Sequence, residues 1–340
     1  INEKVPNNSN EFSNYPEIKI IYDLCTSENS EKRPTISDLI KLFSNFIISK
    51  NIFLENIAPE DQYQLGLILE NENKVMESIQ YFSHAANQNH SEAQFHLGFI
   101  YFDDDLKDIN KSIHYFTLAA NQNHPDAQFH LGLIYFIEQN INKTLYYFDL
   151  AAKNNHSRAQ FALASFYLND RYIPRDVNKS LYYMTLAADN NQEDAQLYLG
   201  FFYSRSEYGT PNIIKSIHYL TLAANQNQRD AQFFLGFIYY NAKYVTRDIN
   251  KSIHYFTLAA NQNHVDAQFF IGLIYYDAKY VVRDINKSIH YFTLAANQND
   301  ANAQFGLGIF YSDGKYIKAD TDKAIYYFTL AANQNIPYCQ

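Results

Sequence analysis

The chain has 340 residues, 47% of them hydrophobic and 19% charged, a composition that excludes a disordered tail and supplies a large packed interior. Lysine and arginine number 27 against 36 acidic residues, a net charge of −9, which argues against nucleic acid as a partner held by a basic footprint. The longest near-continuous apolar stretch, Phe233–Tyr240, falls far short of the roughly 20 residues of a membrane-spanning helix, and two cysteines, Cys25 and Cys339, fit a reducing compartment and a cytoplasmic protein.

From Ile1 onward there is no charged n-region followed by an apolar h-region, the pattern of a secretory signal. Asn and Ser are frequent up to Asn14, and a short helical pattern then covers 17–25 with Ile18, Ile21, Tyr22 and Cys25 in phase. After a polar loop, Arg33-Pro34-Thr35 opens a second helix with Ile36, Leu39, Ile40 and Phe43 on one stripe; proline beside a hydroxyl residue is a helix-start signal. The run Cys25-x7-Arg33-Pro34-Thr35-x-x-Asp38-Leu39-Ile40 resembles the end of a protein kinase C-lobe of the tyrosine-kinase-like branch, over residues 1–46, with 47–58 as linker. The resemblance implies that Arg33 would pair with a Glu closing an activation segment, and no such segment stands in this sequence. Gly-x-Gly-x-x-Gly, Val-Ala-Ile-Lys, His-Arg-Asp and Asp-Phe-Gly are also missing from it, so the chain as given has no means of positioning a transferring phosphoryl group. The other reading of these residues is a helical cap over the first repeat.

The main signal is internal repetition. An Ala-Ala pair recurs at 85, 119, 151, 187, 223, 259, 295 and 331, with spacings of 34, 32 and then 36 throughout. An Ala-Gln pair keeps step at 93, 127, 159, 195, 231, 267 and 303. The units are 59–90, 91–124, 125–156, 157–192, 193–228, 229–264, 265–300 and 301–336, with 337–340 as the start of a truncated ninth. Each reads as two helices. In the first, Ala127, Leu131, Ile134 and Tyr135 fall on one arc and Phe129, Leu133 and Phe136 on the opposite one, so both faces need cover. The second is amphipathic, with Ile113, Tyr115, Phe116, Ala119 and Ala120 on one face and Lys111, His114 and Thr117 on the other. Asp108, Asp176, Asp248 and Asp284 stand where an N-cap oxygen is wanted. Gly66, Gly98, Gly132, Gly200, Gly236, Gly272 and Gly308 sit mid-helix, where glycine costs about 1 kcal/mol against alanine. Their recurrence implies a neighbour too close for a Cβ, and Ala164 fills the same position in the fourth unit.

The runs Ala127-Gln128-Phe129-x-Leu131-Gly132-x-Ile134-Tyr135 and Lys143-x-Leu145-x-Tyr147-Phe148-x-x-Ala151-Ala152 resemble the Sel1-like repeat family, relatives of the tetratricopeptide repeat, over 59–336. One departure is the loop between the helices, Ala-Lys-Tyr-Val at 242–245 and 278–281, where that family often has glycines; Asp313-Gly314 is nearer its form. The resemblance implies an all-α fold, a right-handed α-solenoid of eight two-helix repeats preceded by a short helical segment. It also implies a scaffold that binds a protein or peptide partner on a concave face. The alternative function is the C-terminal part of a kinase whose repeats recruit substrates or regulators.

Several motifs have simpler explanations. Arg-Asp-Ile-Asn-Lys at 247–251 and 283–287 recurs as a helix-start element, as at Arg175-Asp176, and a catalytic residue has no reason to be present in several copies. His114, His218, His254 and His290 hold one repeat position; neighbouring helices lie roughly 8–10 Å apart, too far to share a metal, so these read as surface residues. Asn-Lys-Ser or Asn-Lys-Thr at 110, 142, 178, 250 and 286 is formally a glycosylation sequon and reads as a by-product of the repeat. No catalytic residue, metal ligand or cofactor site is indicated. The partner-binding candidates lie on the first helix of each repeat: Phe99, Phe102, Leu133, Phe136, Phe201, Phe237, Tyr240, Leu273 and Tyr276. Aromatic rings exposed there would anchor a peptide or helix; the other reading has them packing adjacent helices together, above all Phe95, Phe129, Phe233 and Phe269 at the head of each row.

Overall fold

The structure is a computed structural model that describes residues 57–102, 107–205, 211–243 and 245–334. The helices expected at 17–25 and 33–43, the kinase-like stretch 1–46 and residues 337–340 lie outside the described residues. Every regular element among the described residues is an α-helix, and the helices come in pairs. The first four pairs are α1 (Pro59–Asn71) with α2 (Val75–Asn87), α3 (Ser91–Phe102) with α4 (Ile109–Asn121), α5 (Pro125–Ile137) with α6 (Ile141–Lys153), and α7 (Ser157–Leu168) with α8 (Val177–Asp189). The last four are α9 (Glu193–Ser204) with α10 (Ile213–Asn225), α11 (Arg229–Asn241) with α12 (Ile249–Asn261), α13 (Val265–Asp277) with α14 (Ile285–Asn297), and α15 (Ala301–Asp313) with α16 (Thr321–Ala332). The chain divides into two compact units, one ending at Ala159 and the other starting at Gln160. Within each, successive helices pack on one another as an α-solenoid does.

The mid-helix glycines do what their position demands. A Cβ on Gly98 would lie 2.5 Å from the Phe116 ring, and one on Gly236 would lie 2.6 Å from Phe256. The fully buried ring of the second helix therefore rests on bare backbone of the first. Where the first helix carries Ala164, the facing residue is Met184, which bends where a ring cannot. At the same contact Ser112, Ser180, Ser216 and Ser288 donate to the carbonyls of Gly98, Ala164, Gly200 and Gly272 at 2.7–2.8 Å. The serine of the sequon-like triplet is thus a buried packing group. The paired alanines close the opposite side of the second helix: Ala119 and Ala120 are buried against Ala127, Leu131 and Ile134 of α5.

Helix ends follow from local chemistry. Asp108, Asp176, Asp248 and Asp284 accept from the backbone N–H of Lys111, Lys179, Lys251 and Lys287, all at 3.0 Å, as their sequence position predicts. The second helices end in Schellman turns: the N–H of His124 reaches the Ala119 carbonyl and that of Asn123 the Ala120 carbonyl. Asn89, Asn123, Asn155, Asn191, Asn227, Asn263 and Asn299 take the left-handed conformation this turn needs, one asparagine adopts more readily than most residues.

The first helices depart from expectation in one respect. Ala127, Leu131, Ile134 and Tyr135 of α5 are buried as predicted, but on the other arc Phe129 and Leu133 are half-buried and Phe136 is exposed. One face is covered and the other is partly open.

Candidate functional site

The partly open face of the first helices carries all nine candidate residues, and the two units treat it differently. In the first unit Phe99 is 48% exposed, with its ring edge-on to His130 of the next repeat at 5.6 Å. Phe136 is 37% exposed and is followed by the still more open Ile137. Phe102 is half-buried beside the Phe116 core, and Leu133 is half-buried. Phe95 and Phe129, at the head of these rows, pack inward. Each faces the buried ring of its own second helix, Phe116 at 5.8 Å and Phe148 at 5.6 Å, and each stacks on a histidine, His124 or His156.

In the second unit the corresponding rings are half-buried against the following repeat. Phe201 meets Phe234 edge-to-face at 4.3 Å, and Phe237 and Tyr240 meet Phe270 at 5.7 and 5.8 Å. Burial, and next the charge of Asp277, pushes the Tyr240 hydroxyl above its ordinary pKa, keeping it a neutral donor. Tyr276 lies edge-on to Phe310 and Tyr316. Two cavities open on this face. One, of about 200 Å³, is lined by Phe201, Ile213, Leu220, Phe234, Phe237 and Ile238; Leu220 stands there where most other second helices carry a phenylalanine. The other, of about 210 Å³, is lined by Phe269, Leu273, Tyr276, Phe292, Phe305 and Phe310. The structure therefore brings Phe201 with Phe237 and Leu273 with Tyr276 into shared apolar walls. It leaves Phe99 and Phe136 projecting.

Two sets of residues escaped the sequence reading. The glutamine of each Ala-Gln pair is buried and clasps three helices. Gln94 donates to the Ala86 carbonyl at 2.9 Å and accepts from Gln122 at 2.7 Å. Gln128 with Asn154, Gln232 with Gln262 and Gln268 with Gln298 repeat the arrangement. The recurrence of a polar residue at a buried phase was the available signal. The second set is the histidines before the first helices. His124, His156 and His264 accept through Nδ1 from the N–H of Ala127, Ala159 and Ala267 while Nε2 faces Glu92, Asp126 and Asp230 at the start of the preceding first helix. Burial holds His156 and His264 below the usual imidazole pKa, outweighing the nearby Asp126 and Asp230. His114, His218, His254 and His290 are exposed, as expected. Among the described residues no three His, Cys, Asp or Glu side chains gather as metal ligands, and no helix is long and apolar enough to cross a membrane.

The Arg-Asp element starts a helix and ties repeats together. Arg247 donates through Nε to the Tyr240 carbonyl at 2.9 Å and through Nη1 to the Tyr280 hydroxyl of the next repeat. Arg283 does the same with Tyr276 and Tyr316. The loops that carry these arginines begin with a left-handed residue, Ala242 or Ala278, where the last repeat has Gly314.

The sequence model of the Sel1 repeat matches residues 91–124, 125–156, 157–192, 193–228, 229–264, 265–300 and 301–336. Among solved structures, the chain is similar to a protective antigen of uropathogenic Escherichia coli strains that displays an SLR fold. That likeness has a TM-score of 0.68 at 22% identity, over 95% of this chain and 69% of the antigen. A Sel1 repeat protein from Oxalobacter formigenes is similar with a TM-score of 0.63 at 26% identity, over 87% of this chain and 88% of that one. No curated protein matches the sequence.

Proposed function

The chain belongs to the Sel1 repeat family, and from that premise we propose that it is a protein–protein interaction scaffold holding a protein or peptide partner on the open face of its first helices. The observation that carries this is the apolar side chains on that face in each unit, projecting at Phe99 and Phe136 in the first and walling cavities at Phe201, Phe237, Leu273 and Tyr276 in the second. Apolar surface recurring at one phase of successive repeats is costly to leave in water and marks an interaction site. Rings on a rigid helical frame lose little entropy when a partner covers them. The acidic balance of the chain favours a protein over a nucleic acid as that partner, and its two cysteines suit the cytoplasm.

The test is to identify partners by crosslinking and mass spectrometry in the source cells, then measure their binding to Phe136→Asp and Leu273→Asp. The expected outcome is a loss of about tenfold or more for at least one variant, the level of an interface hot spot, with a smaller loss in denaturation free energy. Equal losses of binding and folding would make these residues core and remove the surface.

A further inference from the structure

The eighth repeat carries an internal vacancy whose shape the other repeats define. On α3, α5 and α13 the residue after the half-buried phenylalanine at the head of the row lies against the core ring of the preceding repeat. His130 stacks on Phe116 with centroids 5.3 Å apart and planes 9° from parallel. Phe270 stacks on Phe256 at 5.4 Å and 9°, and His96 lies on Phe82 at 4.9 Å. Phe270 is also held edge-on by Phe237 and Tyr240 and tilted against Phe233. One repeat further on, Phe269, Leu273, Tyr276 and Phe292 stand in the places of Phe233, Phe237, Tyr240 and Phe256, but the residue facing them is Gly306. A Cβ built on Gly306 would lie 3.2 Å from the Phe292 ring, so any side chain there would point at that ring. The four walls remain and, with Phe310 standing against Tyr276 and Phe292 where the seventh repeat has Ile274, line the cavity of about 210 Å³. An apolar cavity of ~150 Å³ already accepts benzene in another protein.

We propose that the cavity beside Gly306 receives one aromatic side chain of a polypeptide partner, which stacks on Phe292 as Phe270 stacks on Phe256. The chemistry of the occupant is set by the fold itself, since four equivalent side chains hold a phenyl ring one repeat earlier. Exposed Asn302 stands among the lining residues and offers an amide to the backbone or polar tip of the incoming residue. This site rests on the reading of the first-helix face as the partner surface and narrows that reading to an aromatic anchor.

The chain contains no tryptophan, so the fluorescence of N-acetyl-tryptophanamide added to it reports on the probe alone. The expected result is a saturable blue shift at roughly millimolar probe, the range open to a single side chain. N-acetyl-phenylalaninamide should reverse it and N-acetyl-leucinamide should not. In Gly306→Phe, which restores the ring of the seventh repeat, binding should fall about tenfold while the melting temperature holds or rises. No shift, an equal shift with Gly306→Phe, or equal competition by the leucine amide would overturn the site. Should Gly306→Phe fail to fold, the competition on the unaltered chain decides. Partner capture that persists when the ring probe fails would sink this site and spare the scaffold; a bound ring probe with no partner captured would do the reverse.

Discussion

The third repeat (125–156) and the seventh (265–300) share a core and differ in surface. In both, a glycine lies under a phenylalanine ring, Gly132 under Phe148 and Gly272 under Phe292, and a buried glutamine joins adjacent helices. Their turns diverge. In the third, α5 passes to α6 through Gln139 in a left-handed conformation and Asn140 as cap, leaving Ile137 70% exposed and Phe136 open. In the seventh, a longer loop brings Arg283 back onto the Tyr276 carbonyl and the Tyr316 hydroxyl. Tyr276, at the position of Phe136, becomes a cavity wall. A few residues of turn length, not the identity of the ring, decide whether this position projects or is covered.

If the core is truly common, breaking it should cost the same in both places, and this is the largest effect expected. Gly272→Leu and Gly132→Leu each force a side chain into a ring that cannot move aside, with an overpacking cost of about 1–3 kcal/mol. Gly236→Leu, against Phe256, belongs with them. Urea denaturation of the three variants measures it; an unchanged midpoint in any one would refute the glycine–ring contact there. Combining Gly236→Ala with Phe256→Met copies the Ala164–Met184 pair and should recover much of the loss.

The turns should separate the two repeats. Arg283→Ala removes a hydrogen bond to backbone and the tie to Tyr316, an expected loss of about 0.5–1.5 kcal/mol. The third repeat has no such arginine. Hydrogen exchange should accordingly show α13 to α15 loosened and α5 and α6 untouched; uniform loosening would mean the tie is not local.

That contrast also shows what the sequence could reveal. The helix pairs, the N-cap aspartates and the glycines under a ring were legible because each rests on spacing within one helix or on one residue's intrinsic cost. The glutamine clasp was not, because Gln94 makes sense only once the Ala86 carbonyl of the preceding helix is in place. Nor could spacing separate Phe136 from Tyr276, since their exposure depends on loop residues folding back from outside the helix. The face carrying the candidates was readable; the covering of each candidate was not.

Two histidine caps titrate, His156 in one unit and His264 in the other. Burial lowers the pKa of His156 and His264 in the folded chain, whereas the unfolded value is near 6.5. The neutral ring is the native form, so this stability is complete above about pH 6.5 and is lost as pH falls through the lowered folded values. Each cap is worth at most about 1 kcal/mol. The melting temperature should therefore decline below pH 6.5, and His156→Gln with His264→Gln, which copy the Gln192 and Gln228 caps, should flatten that decline. An unchanged slope would show that the caps do not titrate there.

The smallest effect concerns the loop departure itself. Ala278 is held at φ 56° and Gly314 at φ 63° in the same place one repeat later. For alanine the left-handed region costs roughly 1–2 kcal/mol, yet glycine gives back about 0.4–1 kcal/mol through the freedom it adds to the unfolded chain. The two terms have opposite signs and similar size, so Ala278→Gly should stabilise by only a few tenths of a kcal/mol, whereas Gly314→Ala should destabilise. Nothing but a Cβ distinguishes the residues, and a Cβ on Gly314 would meet Ala319 at 3.3 Å, so the second change should be the larger. Matched denaturation curves resolve the order. If Ala278→Gly destabilises, loop entropy outweighs strain, and the alanine in the longer turns serves to stiffen the segment that carries Arg283 onto Tyr276.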